Sequence, residues 1–269
     1  MQNAISMYQR LVGIQIRSQL EYRASFLFDL AASIFYFSFW FLSLALIFQK
    51  FENLGGWTLP EVAFLFGMVE MAFGTMDLIF SGFDPQTFGQ QVRLGTFDQI
   101  LLRPINLTIQ IFGSQFILRR LGRTTQGLVI FGLALSWLDI EWTIAKIVYL
   151  PFILLSLVCF FGGLFVIGAT ITFWTIQPIE VVNIFTYGGS EMMSYPMHIY
   201  QRWMRQFFTY IIPAIFLNYY PALYILGKQD PFNFPPIAQF LAPAAGIGTL
   251  LLAFQFWKIG IRHYQSTGT

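Results

Sequence analysis

The sequence predicts an all-α integral membrane protein: six transmembrane helices, an N-terminal amphipathic interfacial helix, and a re-entrant helix pair before the last span. Three observations point there. Hydrophobic residues fill 56% of the 269 positions and charged residues only 10%, which excludes an ordinary soluble domain. Several apolar runs reach the roughly 20 residues a helix needs to cross a bilayer. Lys and Arg are divided unequally between the alternate loops that those runs define.

The whole chain, 1–269, reads as one transmembrane domain. In residues 1–23, Ile5, Tyr8, Val12 and Ile16 recur at helical spacing, with Arg10 and Arg17 on another face. That pattern suits an elbow helix lying along the interface, although a plain basic topogenic flank has the same composition. The first span, 24–48, follows these arginines without a small-residue cleavage pattern, so it is expected to stay as an anchor rather than act as a signal peptide.

In the second span, 59–82, Gly67, Glu70, Gly74, Asp77 and Ser81 share a face that should turn into the protein. Glu70 and Asp77 either line a substrate or proton path or serve as hydrogen-bonded packing groups. No Lys or His in the spans offers itself as a relay partner. The third span, 124–138, and the fifth, 179–195, are short. The fourth, 144–174, aligns Ser156, Cys159, Gly163 and Thr170, and the last, 236–257, aligns Ala242, Ala245, Gly246, Thr249 and Ala253. Small residues at such spacing let helices approach closely. With Cys159 the single cysteine, no intrachain disulfide is possible.

Residues 196–234 are apolar yet broken by Pro196, Pro213 and Pro221, with Arg202 and Arg205 beside Trp203. This reads as a helix pair dipping in from the outer face. The competing reading is a full span over 207–226. With a cytoplasmic N-terminus, six spans put Arg10, Arg17, Arg23, Arg93 and Arg103 on the cytoplasmic side. Arg119, Arg120, Arg123, Lys258 and Arg262 join them, against Lys50, Lys146, Arg202, Arg205 and Lys228 outside. Both termini are then cytoplasmic by the positive-inside rule.

No phosphate loop, zinc-protease motif, paired-cysteine motif or nucleophile elbow occurs. His198 and His263 have no carboxylate or thiol cluster at ligand spacing, so neither a catalytic residue nor a metal site is expected. The basic residues lack the clustering with aromatics that a nucleic-acid site shows, and no nucleic-acid partner is expected. His198 reads as an interfacial side chain.

The long polar interruption of the first half is DPQTFGQQVRLGTFDQILLRPIN, residues 84–106. It combines Gln91, Val92 and Arg93, a turn-forming Gly95 after Leu94, Phe97 and Asp98, the pair Leu101 and Leu102, then Arg103 and Pro104. It resembles the cytoplasmic coupling segment of ABC transporter permeases of the type-2 exporter superfamily. There a short helix precedes a glycine, a small residue, an acid, a leucine pair and proline. The usual opening acid before Arg is replaced here by Gln91 and Val92. The YP at Tyr195 and Pro196 and the NYYPA at 218–222 are similar to the subgroup that pairs two permeases with one separate ATPase.

That resemblance implies a permease subunit without its own ATP-binding motif, forming half of an export path in a bacterial inner membrane. A cytoplasmic ABC ATPase would bind ATP and Mg and press on the helix around Gln86 to Phe97 and on the elbow. A second permease subunit, heteromeric or homomeric, would complete the path. Val92, Leu94, Phe97, Leu101 and Leu102 would bury against the ATPase, with Arg93, Asp98 and Arg103 setting register. The translocation face would use spans two and five, where Glu70, Phe73, Asp77, Phe185, Met192 and Met193 lie. Two other classes remain open on the residues: a proton-coupled secondary transporter using Glu70 and Asp77, and a non-transporting membrane scaffold.

Overall fold

Helix α1, Ala4–Glu21, begins the computed structural model, which describes residues 4–175 and 180–266. Among the described residues there is no β-strand. The side chain of Ile5, and Ile179 at the start of the fifth expected span, lie outside them. Arg10 and Arg17 of α1 are exposed, while Tyr8, Val12 and Ile16 are half-buried, so the helix is two-faced as its spacing predicts. Its inner side packs on α6, Leu107–Ser114. There the Gln15 amide donates to the Ser114 carbonyl at 3.1 Å, and Gln19 donates to the Phe116 carbonyl and accepts from the Leu118 N–H at 2.8 Å.

After Tyr22 the chain enters α2, Arg23–Lys50, and then α3, Leu59–Ile79. The start of α3 is set by Glu61, whose carboxylate accepts from the Thr58 N–H at 2.8 Å. Helix α3 is buried on nearly every side and is the axis of the bundle. Its main partner is α7, Leu121–Trp137. Gly67, Met71 and Gly74 of α3 meet Phe131, Gly127 and Thr124 of α7 in reverse order, so the two helices are antiparallel. A Cβ at Gly67 would stand 2.6 Å from the Phe131 nitrogen, which is how closely these backbones approach.

The second tight pair is α8, Ile144–Thr175, with α13, Ala242–His263. Ser156, Gly163 and Thr170 of α8 meet Gly246, Leu250 and Gly260 of α13 in the same order, so these helices are parallel. The two small-residue faces read from the sequence are thus largely each other's partners. Cys159 is half-buried and free.

By length and composition α2, α3, α8 and α13 are each able to cross a membrane. Helix α7, with 17 residues, is about 25 Å long and falls slightly short of a 30 Å hydrocarbon core. The fifth expected span is shorter still: α9, Glu180–Asn183, a π-helical turn, Ile184–Gly188, and α10, Gly189–Met193, follow without a break in helical backbone.

Residues 196–234 contain α11, Arg202–Tyr210, a 3-10 turn, Pro213–Phe216, and α12, Tyr219–Leu226. Helix α11 and the stretch Pro213–Leu226 bend by 73° at the break between them. The buried Asn218 anchors the bend, donating to the Met193 carbonyl at 2.8 Å. Trp57 stacks on Tyr219 at 5.7 Å, and Lys228 reaches Glu61 at 2.7 Å, tying this element to the start of α3.

Two ends result. Residues 84–106, α6, α1 and the chain after α13 gather at one, and the 51–58 loop and residues 196–234 cap the other.

Candidate functional site

At the first end, residues 84–106 fold as two short helices. Asp84 caps α4, Pro85–Arg93, its carboxylate accepting from the N–H groups of Gln86 at 3.0 Å and Thr87 at 3.2 Å. Gly95, at φ +68°, makes a left-handed turn that favours glycine, and α5, Thr96–Leu101, follows. One face of this pair is locked into the chain. Phe88 meets Phe97 edge to face at 5.4 Å and Trp257 at 5.5 Å, and Phe97 lies tilted against Phe173 at 5.3 Å and edge to face with Tyr264 at 4.9 Å.

Val92 and Phe97, expected to bury against a partner, are already buried within this chain, Phe97 against Phe173 of α8 and Tyr264 just after α13. Asp98 is also engaged from within: its carboxylate accepts from the Tyr264 hydroxyl at 2.9 Å and from Ser266 at 2.6 Å. Burial, and then the Asp98 contact, push the Tyr264 phenol up to about 12. Sequence spacing alone could not show that the chain's own C-terminal end occupies this position. The opposite face carries Arg93, Leu94, Leu101, Leu102 and Arg103, all exposed, with Leu102 at 85%. Gln91 is half-buried between the two faces.

Deeper in the bundle, the acids of α3 find arginines from the start of α7. Arg123 Nε and Nη2 donate to the two oxygens of Glu70 at 2.7 and 2.6 Å, with the guanidinium 4.0 Å above the Phe73 ring and 3.3 Å from Ser190 Oγ. Arg120 contacts Asp77 at 2.7 Å, Ser81 Oγ at 3.0 Å and Asp84 at 3.3 Å. The partners of these acids are neither Lys nor His but arginines at the start of α7, long enough to reach inward. A bidentate guanidinium satisfies a buried carboxylate better than a point charge does.

Of the residues expected on a translocation face, Glu70, Phe73, Met192 and Met193 are buried in this chain's own core. Phe185 stacks on Phe207 at 5.9 Å. Asp77 lines a cavity of about 450 Å³ shared with Asp29, Arg119, Arg120, Arg123 and Tyr187. Asp29 and Ser190 were not singled out in the sequence, and these arginines read there only as charges that set topology. An acid inside the first expected span was the available signal for Asp29.

At the other end, His198 bridges two elements. Its Nε2–H donates to the Gly55 carbonyl at 2.7 Å, which leaves Nδ1 to accept from the Tyr219 hydroxyl at 3.3 Å. Burial, followed by the nearby Lys228 and Arg205 charges, holds its pKa below 6.5 even though the Gly55 bond opposes this. Among the described residues no cluster of His, Cys, Asp and Glu is arranged to hold a metal ion.

The described residues thus form a helical bundle with four helices long and apolar enough to cross a membrane and a two-faced helix pair at one end. The family of ABC-2 family transporter proteins matches residues 34–268, and the chain belongs to that family. It is thus a permease component of an ABC transporter, and such permeases are transport components that are not themselves catalytic. No curated protein and no solved structure matches it.

Proposed function

We propose that this chain is the membrane-spanning permease of an ATP-driven exporter, forming half of a translocation path and driven by a separate cytoplasmic ATPase that binds ATP and Mg. A second permease, most simply a different chain as in the subgroup its YP and NYYPA stretches resemble, completes the path in a bacterial inner membrane. The carrying observation is the two-faced α4–α5 pair. Its inner aromatics are fixed to α8 and α13, while Arg93, Leu94, Leu101, Leu102 and Arg103 stand free for a partner's groove. Force applied there has a rigid route inward, because Asp84 both caps α4 and contacts Arg120, which contacts Asp77 of α3.

Helix direction supports the six-span reading. Parallel α8 and α13 require an odd number of crossings between them, as given by one crossing over 179–195 and a re-entrant 196–234. A full crossing by 207–226 as well would make them antiparallel.

The test is purification from the native membrane in nanodiscs with intact-complex mass spectrometry. A co-purifying ATP-binding subunit that is lost in Arg93→Glu and Leu102→Asp, with the fold retained, supports the reading. A chain that transports without nucleotide or ATPase overturns it.

A further inference from the structure

We propose that the groove between the N-terminal helices and the core binds a zwitterionic amphiphile of the phospholipid kind, its phosphate at Arg119 and its ammonium at Asp29. Two cavities, of about 450 and 390 Å³, adjoin along α2, and Asp29 and Arg119 line both. The inner cavity is walled by Asp77, Arg120, Arg123 and Tyr187. The outer one is walled by Gln19, Tyr22, Phe26 and Ile117, from α1, α2 and the approach to α7.

The charges around this groove are settled unequally. Arg120 and Arg123 have carboxylate partners at 2.7 and 2.6 Å. Among the described residues, the exposed Asp29 and Arg119 side chains make no ion pair and no hydrogen bond, and the opposite charge acting on Arg119 is that of the already paired Asp77. An acid in an apolar helix with no partner is costly unless water or a ligand meets it.

The ligand's polarity follows from the same inventory. A purely anionic group near Arg119 would also face Asp29 and Asp77, and a purely cationic one near Asp29 would face three arginines. A molecule carrying both signs satisfies the two unmatched groups together.

Position and shape agree with a lipid. Asp29 lies about 9 Å along α2 from Arg23, at the end of the bundle that also holds α1 and α6. The walls mix these polar groups with Tyr22, Phe26 and Tyr36. A headgroup fits in the groove with its chains left in the bilayer.

The test uses the full-length chain in nanodiscs containing equal phosphatidylethanolamine and phosphatidylglycerol, with retained lipid counted by native mass spectrometry during stepwise delipidation. Wild type is expected to keep phosphatidylethanolamine preferentially. Arg119→Gln should weaken that retention about tenfold, the scale of one charge-assisted hydrogen bond. Asp29→Asn should shift the preference towards phosphatidylglycerol, a change that simple loss of folding does not produce, while Asp29→Glu keeps the wild-type preference. Equal retention of the two lipids by wild type, or a preference unchanged in both Asp29→Asn and Arg119→Gln, overturns the proposal.

ATP added to the chain with its ATPase separates the two sources of this chemistry: a transported amphiphile is released, whereas a resident membrane lipid stays. The site stands in either case. Because binding needs no ATPase, failure of the lipid test leaves the permease reading intact, and the reverse holds.

Discussion

Glu70 and Arg123 show why a charged pair persists in so apolar a chain. Both side chains are almost fully buried, so each charge is tolerable only with the other beside it. Removing one partner leaves the other uncompensated. Glu70→Gln or Arg123→Gln alone should therefore destabilise the fold by about 3–5 kcal/mol, and the double variant by less than the sum. Thermal unfolding of the four proteins in one detergent checks this, and additive losses would mean that the pair is not coupled. The sequence showed Glu70 on an inward face but not its partner, because Arg123 reads equally well as a loop charge fixing topology.

His198 gives a pH signature at the same scale. Its folded pKa is depressed below 6.5, so the neutral ring contributes stability that is complete above that value. The contribution declines as pH falls and levels off once the folded ring itself protonates. Unfolding followed from pH 8 to 5 should show this decline in wild type and a shallower one in His198→Gln. Identical slopes would remove His198 from the account.

At the scale of elements, the small-residue faces were the most legible part of the fold. The sequence marked Ser156, Gly163 and Thr170 on one helix and Ala242, Gly246 and Ala253 on another, and these faces meet, since helical spacing alone fixes which residues share a side. It could not say that they meet each other, because pairing depends on the whole bundle. A contrast between two glycines of α13 tests the contact. A Cβ at Gly246 would collide with the Ser156 backbone, whereas one at Gly248 would have nothing within 4 Å. Gly246→Leu is expected to cost at least the 1–3 kcal/mol typical of overpacking, and Gly248→Leu to be nearly neutral. Fluorescence-detected size exclusion after graded heating reads both, and equal tolerance would refute the packing. In the coupling segment one short helix and the turn-forming Gly95 were legible, whereas the break at Gly95 into α4 and a second helix, α5, was not. Which face looks outward was not legible either, since Phe88, Val92 and Phe97 are as apolar as Leu94, Leu101 and Leu102.

For the whole molecule, the direction of the helices constrains where each loop lies. Antiparallel α3 and α7 return residues 84–106 to the side from which α7 starts, and α6 holds α1 there. Parallel α8 and α13 bring the chain after α13 back to the same side, where Tyr264 meets Phe97. Leu102 and Gln265 must then share one face of the membrane, with Ile237, just before α13, on the other. All three are exposed, so single cysteines placed there in a Cys159→Ala background are open to a membrane-impermeant maleimide. In intact cells Ile237→Cys should label, whereas Leu102→Cys and Gln265→Cys should label only after permeabilisation, the side on which the basic residues collect. Labelling of 102 and 265 from opposite sides would break the parity that the two helix pairs impose. It would make 207–226 a full crossing and move the C-terminal end away from the coupling helices, against the contact between Tyr264 and Asp98.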